Sequence, residues 1–587
     1  MAKNLKNIQS SKDRTLEFIA IPLVTLFIIP IFSDSNGISK LFGLILGILI
    51  LGFLRQFISF NLRNWVTYFP LILLAPYAIS QILKPNDIDK FLIGSPGRNG
   101  GFIAWAGLAI LMLYIANSYG ENFSSFQKSL IFTYIGFIFL GLLQFFDFLP
   151  WQQSMSFNGL SITLGNPNFA SAMLAIMCSV HAVFILYEKK YRNGYSLFAF
   201  SLALFVLWQT HSLQGLLVLV LNALLVSALY FRHSILNLLK KRKIFLLTPF
   251  LIFGAVLPIV PNLLDWFVAN GSVRQRIAYW RLSLEIFYDN FWFGVGIDNL
   301  RGKVLEYRDL ALVKQEGIFT IPDRTHNVLL DHFVNGGIFA GLIWFVFICS
   351  VSYYALALTF GARRGHVDKK QLVVVVIWFG YLIQSFISVD HLALMLLGYT
   401  SAGYILSMKI RKENVENRQS KKSFQFANVG IQGLLIIFLI YIGLFFRSEF
   451  LAYKVLYASD VTSINTILNS RWVQSQTLED VAVYVSQAKQ FELANQFADK
   501  MLSKSPNSHQ ALYMKSVYEE SLGDNLKGRD WMLKAHRVDP LNPVYLLSLA
   551  IYEYKLGNLD MARSYVEKTE AIDPNQKALL EVKNLLK

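Results

Sequence analysis

Two blocks of this 587-residue chain carry residues whose types and spacing could do chemistry. The first, "SVRQRIAYWRLSLEIFYDNFWFGVGIDNL", reads as an amphipathic helix followed by a Gly-Val-Gly turn, with Ile277, Trp280, Leu284 and Phe287 recurring at helical steps on one expected apolar face. Arg276 lies four residues before Trp280 and so beside it on the helix surface, which leaves its head free for an anion. The second block, "PDRTHNVLLDHFVNGGIFAGLIWF", puts His326 just ahead of an apolar run entering a membrane. A histidine at such a boundary can act as a general base near neutral pH. Taken singly, an arginine here anchors a helix to lipid phosphates and a histidine caps a helix. The two motif blocks together favour a site.

The elements that must position these residues follow from composition. The chain is 54% apolar and 16% charged, with mean hydropathy +0.43, more apolar sequence than a soluble protein can bury. A bilayer core needs about 20 apolar residues per helix. About thirteen candidate spans begin near residues 16, 41, 65, 102, 129, 168, 195, 214, 244, 337, 371, 391 and 429. Alternate loops are basic, from Lys3 and Arg14 through Lys189 and Arg192 to "KIRKENVENRQSKK", and together hold more net positive charge than the whole chain's +16. That charge therefore reports topology rather than nucleic-acid binding: the N-terminus is expected in the cytoplasm and the C-terminal tail outside, at a cytoplasmic (inner) membrane. No cleavable signal peptide is evident in the first apolar run.

The expected architecture is all-α: a polytopic membrane domain over 1–446 of about 12–13 spans with a large outer loop at about 262–335, a linker at 447–476, and helical repeats over 477–587. Cys178 and Cys349 fall in expected spans and give neither a disulfide framework nor a metal pattern. In the tail, Pro506, Pro540 and Pro574 are 34 residues apart, and Leu522-Gly523 recurs as Leu556-Gly557 at the same period. This period resembles tetratricopeptide repeats, although the first copy lacks Leu-Gly. Such an array offers a surface to a peptide or glycan, or forms a compact cap with no ligand of its own.

The blocks "RIAYWRLSLEIFYDNFWFGVGIDNL" and "THNVLLDHFVNGGIFAGL" resemble the signature blocks of the O-antigen ligase and polymerase superfamily, which includes bacterial protein O-oligosaccharyltransferases. The family's essential loop arginine and histidine map onto Arg276 and His326. "GSPGRNGG" resembles its early outer-loop motif and maps an arginine to Arg98. "TLGNPNFASAML", with Asn166 and Asn168, resembles a motif of members with repeat tails. The chain departs from the family at "THSLQG", where Leu213 and Gln214 stand in place of a Ser-Arg-Gly arginine; either Gln214 gives a neutral hydrogen bond there or Arg98 supplies the charge.

The resemblance implies transfer of a glycan from an undecaprenyl-pyrophosphate donor to a hydroxyl acceptor. Arginine forks suit a developing pyrophosphate charge, so the implied clamp is Arg276, then Arg98, with Gln214. His326 is the implied base, in an inverting reaction with neither metal nor cofactor. Asp323, Arg324 and Asn327 flank the base and could orient it, and Trp280 is a further supporting residue; His211, His332 and His391 read as structural. The implied partners are the lipid-linked glycan, the acceptor (lipid, glycan or protein) and membrane lipids. A surface-polysaccharide polymerase or a protein-directed transferase shares the same donor chemistry. A lipid-linked glycan transporter would instead need charged mid-span residues and repeated halves, and a non-enzymatic anchor for the repeats would need neither motif block.

Overall fold

The computed structural model describes residues 18–54, 62–85, 87–117, 123–149, 159–232, 271–318, 320–360, 367–413 and 423–586. Among these residues all regular structure is helical. The N-terminal helices are α1 (Ala20–Leu26), α2 (Ile38–Leu54), α3 (Leu74–Leu83, entered through shorter turns from Leu62), α4 (Ile88–Ile93), α5 (Phe102–Ala116) and α6 (Phe123–Phe145). Next come α7 (Pro167–Tyr187), α8 (Gly194–Gln209) and α9 (Leu213–Tyr230). A loop region holds α10 (Gly271–Asp289), α11 (Leu300–Tyr307) and α12 (Leu310–Glu316). The chain then returns to long helices: α13 (Val328–Phe360), α14 (Lys369–Ile387), α15 (Leu392–Glu413) and α16 (Ser423–Ala458).

Seven of the described helices are long and apolar enough to cross a membrane, and α2, α5 and α8 are shorter apolar helices. The protein is therefore an integral membrane protein. Its centre is α5, buried from Ile103 to Ala116 and packed against α15 and α2. A helix apolar all round belongs in such a position. The periphery is apolar too: Val429, Ile437 and Ile440 on α16 are more than half exposed, as side chains facing lipid must be.

One expected span turns out differently, and another is not described. The one beginning near Leu16 holds only the seven-residue α1, about 10 Å of helix, too short for a core of about 30 Å. Its C-terminal carbonyls are capped instead: buried Lys40 donates from Nζ to Val24 O at 3.0 Å and Phe27 O at 3.4 Å. The span expected near 244 lies outside the described residues. By contrast, α8 and α9 are separate helices despite the short "QTHSL" between them. His211 makes that turn in the left-handed region at φ 52.

After α16 comes a short helix, α17 (Ile464–Asn469), and then a run of paired helices: α18 (Ser475–Gln487), α19 (Phe491–Lys504), α20 (His509–Ser521), α21 (Asn525–Val538), α22 (Pro543–Lys555), α23 (Leu559–Ile572) and the shorter α24 (Leu579–Leu585). The starts of α18, α20 and α22 are 34 residues apart, as are those of α19, α21 and α23. Each pair turns on a left-handed residue: Lys489 (φ 59), Gly523 (φ 83) and Gly557 (φ 83). The first repeat thus makes the same turn without the glycine.

The tail is bound to the loops of the membrane domain. Lys504 Nζ meets Asp89 Oδ2 at 2.5 Å, Ser475 donates to Asp87, and Arg301 Nη1 donates to Gln476 Oε1 at 3.1 Å. Arg308 Nη2 pairs with Asp539 Oδ1 at 2.5 Å, both side chains 2% exposed, and Val313 of α12 joins the apolar core of the repeats.

Candidate active site

The loop ahead of α13 is built from its caps. The Asn327 side chain accepts from Leu330 N–H at 3.1 Å, opening the helix, and its amide donates to Phe386 O at 3.2 Å. Thr325 N–H donates to Asp331 Oδ1 at 2.8 Å, and its hydroxyl donates to Asn327 O at 2.6 Å. Between these bonds His326 takes φ 58, a left-handed conformation uncommon outside glycine. Its ring lies 5.7 Å from that of Tyr279 on α10.

The buried face of α10 is Tyr279, Leu282, Ser283 and Ile286, whereas Ile277 is 48% and Leu284 53% exposed. The expected apolar face through Ile277, Trp280, Leu284 and Phe287 is therefore corrected by a rotation of about 100°. The sequence pattern followed the largest apolar side chains, and Ile277 and Leu284 in fact take the outer surface of a membrane protein. The rotation matters for Arg276, which stands three and seven residues before Tyr279 and Ser283 and so shares the inward face. Trp280 is half-buried beside it, its indole N–H without a partner among the described residues.

Arg324 links the segments around the histidine. It forms an ion pair with Asp298 and lies against Gly100, where a Cβ would be 3.2 Å from Nη2. Asp298, itself left-handed at φ 61, also accepts from Ser95 N–H at 2.7 Å. Burial lowers the Arg324 pKa, but the charges of Asp298, Asp331 and Asp323 more than reverse this, so the guanidinium stays charged. Arg324 thus ties the 94–101 loop, the Gly-Val-Gly turn and the histidine loop together.

Arg98 projects from the first of these. Its Nε donates to Asp323 Oδ2 at 2.8 Å, and its guanidinium lies 5.3 Å above the ring of Phe169. Burial raises the Asp323 pKa, but Arg98, then Arg324 and His326, hold the carboxyl well below the usual range. Arg276 differs: Nη1 donates to Ser272 Oγ at 2.7 Å, while its buried Nε has no partner among the described residues. Burial lowers its pKa. A half-buried cation with no carboxylate partner among the described residues is what an anion site needs.

His326 feels all of these groups. Burial pushes its pKa down to about 4, with Asp323 raising it and Arg276 and Arg98 lowering it further. The ring is therefore neutral at pH 7 and has a lone pair to offer.

The other expected residues gather at the start of α7 and α9. Asn166 caps α7, its side chain accepting from Asn168 N–H at 2.8 Å, with Pro167 in the first turn. Asn168 Oδ1 accepts from Ser212 Oγ at 2.7 Å, tying α7 to the α8–α9 turn. Gln214 is 5% exposed, and neither amide atom has a partner among the described residues. His391 packs 4.9 Å from the ring of Phe169, and His332 Nδ1 lies 2.5 Å from Tyr77 Oη. Sequence reasoning missed Asp298, Asp331, Tyr279 and Phe169. Only Asp331 left a signal, an acid in a first helical turn.

Backbone hydrogen bonds hold the two motif blocks in register. The helix α13 is interrupted at Gly337 (φ 70, ψ −167). Ile338 N–H donates to Phe291 O at 2.8 Å, and Val334 O accepts from Val295 N–H at 2.9 Å, followed by Gly296 N–H to Asn335 O at 2.9 Å. Gly294 (φ 67) and Gly337 allow this approach, since a Cβ on either would overlap the facing backbone.

The fold and this site define an all-helical integral membrane protein with two arginines and a neutral histidine gathered beside the membrane. Residues 162–345 match the family model described as O-antigen ligase, which supports placing the chain among membrane glycan ligases and polymerases and its reading as a glycosyltransferase-type enzyme. The matched stretch contains Asn166, Gln214, Arg276 and His326; Arg98 precedes it. No curated protein matches the chain.

Proposed function

We propose that this protein transfers a glycan from undecaprenyl pyrophosphate to a hydroxyl acceptor at the outer face of the cytoplasmic membrane. The observation that carries the reading is the convergence of the Arg276 and Arg98 charges on a half-buried, neutral His326, within or beside the O-antigen ligase match. His326 takes the proton from the acceptor hydroxyl as its oxygen bonds to the anomeric carbon. On the opposite side the bond to the pyrophosphate oxygen breaks, so the anomeric configuration inverts. Arg276 meets the leaving charge first, since it has no carboxylate to give up among the described residues. Arg98 must exchange Asp323 for the phosphate, and Gln214 adds a neutral amide. Arg324, Asn327, Asn166, Asn168 and Trp280 support these groups. Neither metal nor cofactor takes part, so transfer persists in chelator.

The reading also places the N-terminus in the cytoplasm and the tail outside, with the tail a tetratricopeptide-type array. The acceptor class separates ligase, polymerase and protein transferase, and all three share this donor chemistry. The test is glycan transfer by purified protein in vesicles with lipid-linked donor. His326→Ala should reduce turnover by about 10²–10⁴-fold, and Arg276→Ala by about 10²–10³-fold. Full transfer by the correctly inserted His326→Ala protein refutes the base assignment.

A further inference from the structure

A second site lies at the other end of α7. The candidate active site meets α7 at Asn166 and Phe169, whereas a cavity of about 220 Å³ opens between α6, α7 and α8 near the C-terminal end of α7, lined by Tyr134, Ile135, Met177, His181, Ser196 and Ala199 among others. The 21 residues of α7 span about 30 Å, so the two sites stand near opposite membrane surfaces. The lining is almost wholly apolar, and Ile135 (57% exposed) and Tyr195 (89% exposed) leave it open toward the bilayer.

One polar feature interrupts it. His181 Nε2 lies 2.7 Å from Ser196 Oγ, and His181, 8% exposed, has no partner for Nδ1 among the described residues. The rim supplies charge. Lys128 and Lys189 are exposed. Lys190 and Lys369 share one carboxylate, Glu188, at 3.0 and 2.6 Å. Arg192 donates to the last carbonyls of α7, leaving a positive excess around the opening. Basic pockets between transmembrane helices on the cytoplasmic side bind anionic lipid headgroups.

We propose that this cavity holds an acyl chain of an anionic phospholipid, with the phosphate seated on Lys189 and Lys190 at its rim. The site is independent of the donor chemistry proposed above.

The test is native mass spectrometry of the full-length protein released from vesicles of phosphatidylglycerol and phosphatidylcholine in equal amounts. Wild type should retain one phosphatidylglycerol in preference to phosphatidylcholine. Replacing the two lysines proposed to hold the phosphate (Lys189→Gln with Lys190→Gln) should weaken that retention about thirtyfold, and Ala199→Trp, which fills the cavity, should abolish it. The surface double variant keeps the test decisive if Ala199→Trp does not fold. Equal retention of the two lipids, or retention unchanged in the lysine variant, overturns the proposal. So does displacement of phosphatidylglycerol by added undecaprenyl phosphate, which would assign the cavity to the polyprenyl chain.

Discussion

His326 stands in a left-handed backbone conformation at φ 58, between two capping interactions, and such strain is kept where the surroundings over-determine it. Its proton affinity is set by burial and then by the opposing charges of Asp323 and the two arginines, which gives the activity a distinctive pH dependence. For the free enzyme the base is lost only as pH falls to about 4, so kcat/KM should be flat from neutrality down to about pH 5. A bound pyrophosphate offsets the arginine charges, so the acid limb of kcat should lie at higher pH than that of kcat/KM. Rate profiles over pH 4–8 check this, and coincident limbs near 6.5 contradict it. The same shift bears on stability. Since the folded value lies below the unfolded value near 6.5, this group's contribution is complete above about pH 6.5 and is lost as pH falls toward 4. At this scale the sequence offers His326 and Arg276 as candidates, because their residue types suit a base and an anion clamp. Asp298 was not, because its role depends on a long-range approach to Ser95 and Arg324.

At the scale of elements, α10 and α13 form one unit because the Gly-Val-Gly turn bonds to the interruption in α13 at Gly337. Gly337→Ala places a Cβ against the Trp292 carbonyl at φ 70, and should cost about 2 kcal/mol or more. Thermal unfolding measures the cost, and loss of transfer should accompany it. The opposite change is available in the tail. Lys489 occupies at φ 59 the turn that Gly523 and Gly557 make in the later repeats, so Lys489→Gly should stabilise the protein by about 1 kcal/mol. An unchanged or lower melting temperature would contradict this. Helix positions were legible from apolar run length and from capping signals such as Asn166-Pro167. The facing of α10 was not, because in a membrane protein large apolar side chains point outward as readily as inward, and periodicity alone does not tell the two sides apart.

At the scale of the whole molecule, the tail braces the loop region. The Arg308–Asp539 pair, 2% exposed on each side, loses its compensation if one partner is removed, at about 3–5 kcal/mol. Asp539→Ala should therefore lower stability by that amount, measured by denaturant unfolding, and increase proteolysis between Leu300 and Ile318; unchanged protection of this segment contradicts the brace. The sequence revealed the repeat period, but neither the left-handed turn at Lys489 nor what the repeats hold, since a contact 231 residues away leaves no local pattern. That separation also sets an order of assembly. Once the ribosome has made Arg308, it needs a further 231 residues to reach Asp539, roughly 10–45 s at 5–20 residues per second. Through that interval the loop region is tied to the tail only by earlier contacts such as Arg301 to Gln476, while Arg308 waits for a counter-charge not yet synthesised, and a message truncated before Asp539 should yield a protein that inserts with that charge unpaired.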